Sequence, residues 1–245
     1  MADSTAPPSA RNRGRRAVDD TARRSRRRNR VFALAAGGVL VIGGAGYTLA
    51  SWTDTEWVFG GNGSGGPGVG TSGFEVEQNV TAPFAAAGFT SDETNPGQAL
   101  RFTVDALALS PGTATYAPVA LRTTADSIAG DLVLRAAVPA SGVTVSDADD
   151  VLWNALQVRV AAITDTTAVC DATAFDVPWT SVASGPLGTA AATIARPLAA
   201  AGGSTQVYCF EVSLPASPTL PAGTSVDALQ GRTAAPAWQF AAESD

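Results

Sequence analysis

The side chains that could do chemistry in this 245-residue chain are its carboxylates, its cysteines and its tryptophans, because the sequence has no histidine and no lysine. Without histidine, Ser-His-Asp and Cys-His nucleophiles and histidine-ligated zinc sites cannot be built. Without lysine there is no Schiff base and no P-loop lysine. These absences favour a non-enzymatic protein without a cofactor. A glycosidase that works through two carboxylates is the remaining enzymatic alternative.

The only tight acidic cluster is Asp147, Asp149 and Asp150 in the stretch SDADD. Calcium takes about six to eight oxygen ligands from a shaped loop, and the spacing and glycine of an EF-hand are missing here. The cluster is therefore a weak calcium candidate. A solvated acidic turn is the alternative interpretation.

Two cysteines, Cys170 and Cys209, both follow the segment that resembles an export signal. An even number of cysteines outside the cytoplasm predicts a disulfide. Closing this loop of about 39 residues would stabilise the fold by about 4 kcal/mol in the chain-entropy model. Two separate buried thiols are the alternative. Since Cys209 alternates with apolar neighbours, we expect the disulfide to lie outside the core and to fasten an insertion at residues 180–204 to the sheet.

Five tryptophans could contribute a platform for stacking carbohydrate. Trp238 alternates with Phe240 and is predicted to be a core residue. Trp153 and Trp179 fall at strand edges or in loops, where packing at the rim of the core is the alternative to sugar binding.

The elements that position these residues begin after an export signal. Residues 1–30 are arginine-rich and predicted to be disordered, and residues 31–50 carry no charge. A basic segment, an apolar helix and small residues at Thr48 and Ala50 predict cleavage between Ala50 and Ser51. An uncleaved signal anchor is the alternative. A twin-arginine (Tat) export route is a side alternative to Sec export with a dedicated signal peptidase.

Net charge changes from +7 over residues 1–50 to −13 over residues 51–245. The basic part is a topology signal, because it leads directly into an apolar segment and has no aromatic platform for bases. We therefore expect no nucleic-acid partner, and contact with a membrane only through an uncleaved signal segment.

The exported part begins with a glycine-rich linker at residues 51–72 and continues as a β-domain at residues 73–245. Apolar and polar residues alternate in many short stretches that turn signals separate, which predicts an all-β, antiparallel, jelly-roll-like β-sandwich. The stretches that carry this pattern lie near residues 74–77, 100–106, 119–122, 132–138, 156–160, 208–214 and 238–240.

The signal region resembles a known family. The stretch GYTLASWTDTE at residues 46–56 is similar to the signal of SipW-dependent exported proteins, the TasA and camelysin class. Two later stretches fit the same class: LSPGT at 109–113 before VAL at 119–121, and LQG at 229–231 before WQF at 238–240. The resemblance implies a secreted jelly-roll-like sandwich, in some members a subunit of extracellular fibres. Camelysins are classed as metallopeptidases, but this chain lacks the histidines for zinc hydrolysis.

We therefore expect a secreted, non-enzymatic protein of the bacterial surface or extracellular matrix, whose partners are a signal peptidase and other copies of itself. Residues 51–59 carry aromatic side chains and precede a flexible linker. They would add as a strand to a neighbouring sheet. The alternative is a secreted binding module for cell-wall glycan, calcium or a protein partner.

Overall fold

The computed structural model describes residues 56–58, 60, 61, 63, 64, 66–103 and 106–245. The arginine-rich segment, the apolar segment 31–50 and the cleavage site at Ala50 and Ser51 lie outside these residues. Residues 67–245 form a compact unit. Within the described part of the chain, no helix has the length and apolar character needed to cross a membrane.

In its described residues the unit has ten strands and little helix, which confirms the all-β, antiparallel prediction. In chain order they are β1 (Val76–Asn79), β2 (Thr113–Thr123), β3 (Gly130–Leu134), β4 (Val138–Pro139), β5 (Gln157–Ile163), β6 (Thr180–Pro186), β7 (Arg196–Leu198), β8 (Gln206–Leu214), β9 (Pro236–Ala237) and β10 (Phe240–Ser244). A short α-helix, α1, covers Val151–Ala155. Single 3-10 turns lie at Ala86–Gly88, Ala106–Ala108, Ala148–Asp150, Ala172–Phe175, Ala200–Gly202 and Val226–Leu229.

These strands form a five-stranded sheet in the order β1-β2-β8-β5-β6, a three-stranded sheet in the order β10-β3-β7, and a β4-β9 pair. Every strand pair in them is antiparallel. The central strands β2, β5 and β8 are rich in valine and aromatic residues, which fit a pleated, buried surface. Strands β6 and β10 are edge strands.

One hydrophobic core joins the two larger sheets. It contains alternate residues of β2, β5 and β8, such as Val119, Val158 and Phe210, together with Leu132 of β3 and Leu198 of β7. Aromatic rings stack within it: the centroids of Tyr208 and Phe240, and those of Phe210 and Trp238, lie 4.7 Å apart. Trp238 packs against this core, as its alternation with Phe240 indicates.

The opposite face of the five-stranded sheet is covered as well, although the alternation of β8 predicts a polar, solvated face there. Val207, Cys209 and Glu211 are all buried. Loop residues cover this face: Phe84 and Phe89 pack on Val207, and the β5–β6 connection, residues 164–179, supplies Trp179 and Phe175. Both faces of β8 are therefore buried.

Three details of the sequence prediction are wrong. The described residues of the alternating stretch 100–106 are not in a strand: residues 100–103 are irregular, with Leu100 and Phe102 packed on the core, and Ala106 begins a 3-10 turn. Residues 180–204 are not a weakly structured insertion, because they contain β6 in one sheet and β7 in another. The alternating stretch 132–138 is not one strand, because β3 ends at Leu134 and Val138 belongs to β4, where it is 47% exposed.

Candidate functional site

A row of polar side chains crosses the covered outer face of the five-stranded sheet. Tyr116 of β2 lies opposite Glu211 of β8, Glu211 lies opposite Arg159 of β5, and Arg159 lies opposite Ser184 of β6. Directly opposed residues in antiparallel strands have their Cβ atoms about 5 Å apart, so neighbours in this row can touch. The sheet thus presents a carboxylate, a guanidinium and two hydroxyl groups in one row.

The centre of the row is a two-pronged ion pair. Nε of Arg159 donates to Oε1 of Glu211 at 2.9 Å, and Nη2 donates to Oε2 at 2.5 Å. The Glu211 side chain is only 7% exposed, whereas that of Arg159 is 46% exposed. Parallel N–H···O bonds to both carboxylate oxygens are the strongest form of this pairing. The pair therefore fixes the guanidinium at the surface end of a buried carboxylate.

Neighbouring groups respond to this charge. The hydrogen bonds to Glu211 raise the pKa of the Arg159 guanidinium above its already high ordinary value, while partial burial opposes them. Burial raises the pKa of the Tyr116 phenol, and the negative charge of Glu211 raises it further. Arg159 thus remains a cation and Tyr116 a neutral hydroxyl at any physiological pH.

Phe175 covers the ion pair from above. The guanidinium carbon of Arg159 lies 4.2 Å from the centroid of the Phe175 ring, which is cation–π geometry. The ring of Tyr116 lies 6.4 Å from the same centroid. Phe175 ends the 3-10 turn Ala172–Phe175, so the position of this ring depends on how the β5–β6 connection is held.

Two devices hold that connection. The Cys170–Cys209 disulfide is present, with a Cα–Cα distance of 5.2 Å, and ties the loop to the middle of β8. Next to it, Oδ1 of Asp171 accepts from the Thr173 backbone N–H at 2.8 Å and from the Thr173 hydroxyl at 2.6 Å. These bonds lower the pKa of the Asp171 carboxyl below its ordinary range. The Phe175 ring is thereby held in place by the disulfide of its loop and by the hydrogen bonds of its turn.

The disulfide prediction is therefore confirmed, and its predicted role needs correction. Cys209 is outside the main core but fully buried on the other face of the sheet. The segment that the disulfide fastens is the loop 164–179, not residues 180–204, because the latter join the sheets through their own strands. A disulfide suggests an oxidising environment for this protein.

A cavity of about 110 Å³ opens beside the ion pair. Its lining is Arg159, Ala161, Phe175, Trp179, Ser181 and Ser184. Ala161, a small residue of this lining, lies where the pairing of β5 with β6 shifts register. Within the described chain, neither the Ser181 nor the Ser184 hydroxyl nor the Trp179 indole N–H makes a hydrogen bond.

The structure disperses the predicted acidic cluster. Both oxygens of Asp147 accept backbone N–H groups at the start of α1, from Leu152 at 2.9 Å and Trp153 at 2.8 Å. Arg232 also donates to Asp147 at 2.9 Å, and the Asp147 side chain is 3% exposed. Asp149 and Asp150 have left-handed backbone conformations and are exposed. Among the described residues, no group of three acidic or cysteine side chains is arranged to hold a metal ion.

A second, shallower cavity of about 260 Å³ lies on the outer face of the three-stranded sheet. Asp131 and Glu243 line it from directly opposed positions of β3 and β10, with Arg135 also at its wall. Its floor is formed by small side chains such as Ala241. Like charges directly opposite each other in a sheet repel, so Asp131 and Glu243 do not stabilise this strand pair.

Trp153 does not lie at a strand edge or in a loop, as predicted: it lies in α1 and packs against the main core. Trp179 lies in the loop before β6, as predicted, and contributes both to the outer-face packing and to the small cavity. The alternation in β5 and β8 places Arg159 and Glu211 on the polar faces of their strands. Their pairing could not be predicted, because nothing in the sequence gives the register between β5 and β8.

No family model matches this chain, and no curated protein matches it.

Proposed function

We propose that this chain is a secreted, non-enzymatic protein of the bacterial surface or extracellular matrix that associates with itself by strand addition. The proposal combines three supports: the export-type signal, the disulfide, and a sheet edge of suitable chemistry. The edge is the observation that carries it.

That edge is β6, whose sequence TSVASGP contains no charged residue. Among the described residues, no backbone hydrogen bond joins the outer side of β6 to another element. The opposite edge of the same sheet differs, because Gln78 of β1 exchanges two backbone hydrogen bonds with Thr90 at 2.8 and 2.9 Å. Natural proteins usually blunt a free edge with charged side chains.

Charge adds to this argument. The exported part carries a net charge of −13, so two copies repel each other over most of their surfaces. Strand addition along β6 brings no charged side chain of that strand close to the partner. The incoming strand proposed here is residues 51–59 of a second copy, of which Trp57 and Val58 are 91% and 96% exposed.

The experiment compares the secreted protein with two variants by light scattering and electron microscopy. We expect wild-type protein to associate with rising concentration, and a Thr180→Lys/Ser181→Lys variant to remain monomeric because the edge is then charged. A Thr164→Lys/Thr166→Lys variant has the same net charge on the exposed β5–β6 connection and should still associate.

Deletion of residues 51–70 removes the proposed donor strand and leaves the acceptor edge intact. It should abolish association if residues 51–59 are the donor. A wild-type protein that stays monomeric at high concentration would reject self-association. Equal association of both lysine variants would reject β6 as the acceptor. N-terminal sequencing of the secreted protein tests the signal at the same time, since the predicted cut places Ser51 first.

A further inference from the structure

The cavity beside Arg159 has the features of a binding site that the proposed strand addition does not use. Small-molecule sites combine apolar and aromatic walls with a few convergent polar groups. Here Phe175 and Trp179 form walls, and the Ser181 hydroxyl, the Ser184 hydroxyl and the Arg159 guanidinium line the same space. We propose that this cavity binds one neutral sugar unit of a glycan, with Trp179 as the stacking surface.

Local charge indicates a neutral ligand. Arg159 is already paired with both oxygens of Glu211, so its charge is balanced. Asp171 acts electrostatically on Tyr116, and Asp176 acts on Arg159, so negative charge exceeds positive charge around the row. An anionic ligand would be repelled. A cationic ligand would find the face of the Phe175 ring already occupied by the Arg159 guanidinium.

The polar groups match hydroxyl-rich ligands. A guanidinium has five N–H groups, and the Arg159 side chain uses two of them on Glu211. The remaining donors and the Trp179 indole N–H suit ring and hydroxyl oxygens, and each serine hydroxyl can donate and accept. The C–H face of a sugar ring carries partial positive charge and complements the negative face of an indole.

Size limits the ligand. At about 110 Å³ the cavity is well below the ~300 Å³ at which pockets begin to hold drug-sized molecules. One sugar ring or part of one fits, with the rest of an oligosaccharide running over the exposed edge at Ser181 and Ser184.

The site is also held in place before a ligand arrives. Trp179 packs on the outer-face cluster of Phe84 and Val207, and its backbone N–H donates to the backbone carbonyl oxygen of Asp176 at 3.0 Å. Phe175 is held through the disulfide-fixed loop. Binding to ordered side chains avoids the entropic cost of ordering them, which matters for a weak ligand.

The test uses the disulfide-bonded protein purified from its host, titrated calorimetrically with chitotetraose, maltotetraose and, as the anionic comparison, trigalacturonate. We expect one neutral oligosaccharide to bind with a Kd of about 0.1–1 mM, a range typical of one weak site. Trp179→Ala should weaken that binding by at least about tenfold, or ~1.4 kcal/mol. Leu107→Ala, which removes an exposed apolar side chain outside both the cavity and the proposed donor strand, should leave it unchanged.

A second variant guards against simple loss of packing at Trp179. Ser184→Leu fills the cavity from an exposed strand position and should abolish binding while the thermal midpoint stays the same. The proposal is overturned if no neutral oligosaccharide binds at about 10 mM, if trigalacturonate binds more tightly, or if both variants bind like wild type. None of these outcomes bears on strand addition, which the light-scattering comparison measures separately.

Discussion

The Arg159–Glu211 pair should respond very differently to the loss of either partner. The two side chains are 46% and 7% exposed, respectively. Glu211→Gln leaves a guanidinium that water can reach, so the loss is that of a charge-assisted hydrogen bond, about 1 kcal/mol. Arg159→Met keeps an unbranched apolar side chain beneath Phe175 but leaves a buried carboxylate without a cation, which costs about 3 kcal/mol.

The double variant Arg159→Met/Glu211→Gln separates this explanation from a loss of packing. Removing the orphaned charge should restore stability, so we expect the double variant to be more stable than Arg159→Met by about 1–2 kcal/mol. Urea denaturation at pH 7 with the disulfide intact measures all three variants. Asp171→Asn would not serve as a control, because that side chain holds the turn beneath Phe175.

A double variant whose cost equals the sum of the two single costs would refute the buried-charge explanation.

Three further predictions concern the core and the disulfide. Burial raises the pKa of Tyr208 to about 12, and a free tyrosine ionises near 10; wild type should therefore lose up to about 2–3 kcal/mol between these pH values. Tyr208→Phe should remove that loss in urea titrations, and parallel alkaline curves would contradict it. Cys170→Ser/Cys209→Ser should fold yet lose up to about 4 kcal/mol; unchanged thermal unfolding would count against the loop's role. At Gly130 an added Cβ would lie 2.6 Å from the Phe74 ring and against the Glu243 carbonyl oxygen, so Gly130→Ala should cost about 2–3 kcal/mol. Gly70→Ala, with open space around the added Cβ, should cost little stability. Equal thermal midpoints for the two variants would show that β10 moves aside to accommodate the methyl group.

Strand content was predictable where alternation reflects a true division between core and surface. In β8, Tyr208, Phe210 and Leu214 face the main core as their period of two indicates. The same rule fails for the other face of that strand. Cys209 and Glu211 look solvated in the sequence, yet they are buried, because loops distant in sequence fold over them.

The errors at residues 100–106 and 180–204 have physical causes. Leu100 and Phe102 alternate because they pack on the core from an irregular segment, and packing alone produces the same pattern as a strand. Strand β6 consists mostly of small residues, and β7 has only three residues, Arg196–Leu198, so neither strand carries enough alternation to detect. Their place is decided by pairing with β5 and β3, which is information of tertiary structure.

The candidate site shows the same limit. Each of its residues was visible in the sequence as a polar or aromatic residue of a strand or loop, but the site exists only because three strands align Tyr116, Glu211 and Arg159 in one row. The disulfide was the one long-range contact that composition could predict, and it is the contact that brings Phe175 over that row.

Strand β6 connects the two proposals, because Ser181 and Ser184 belong both to the free edge and to the cavity. A strand added along this edge would pass beside the mouth of the cavity, so an oligosaccharide and a neighbouring copy would compete for the same rim. The variants separate the two effects: Ser184→Leu closes the cavity without adding charge to the edge, and the two lysines charge the edge. If both proposals hold, a neutral oligosaccharide should slow the association of wild type and have no effect on that of Ser184→Leu.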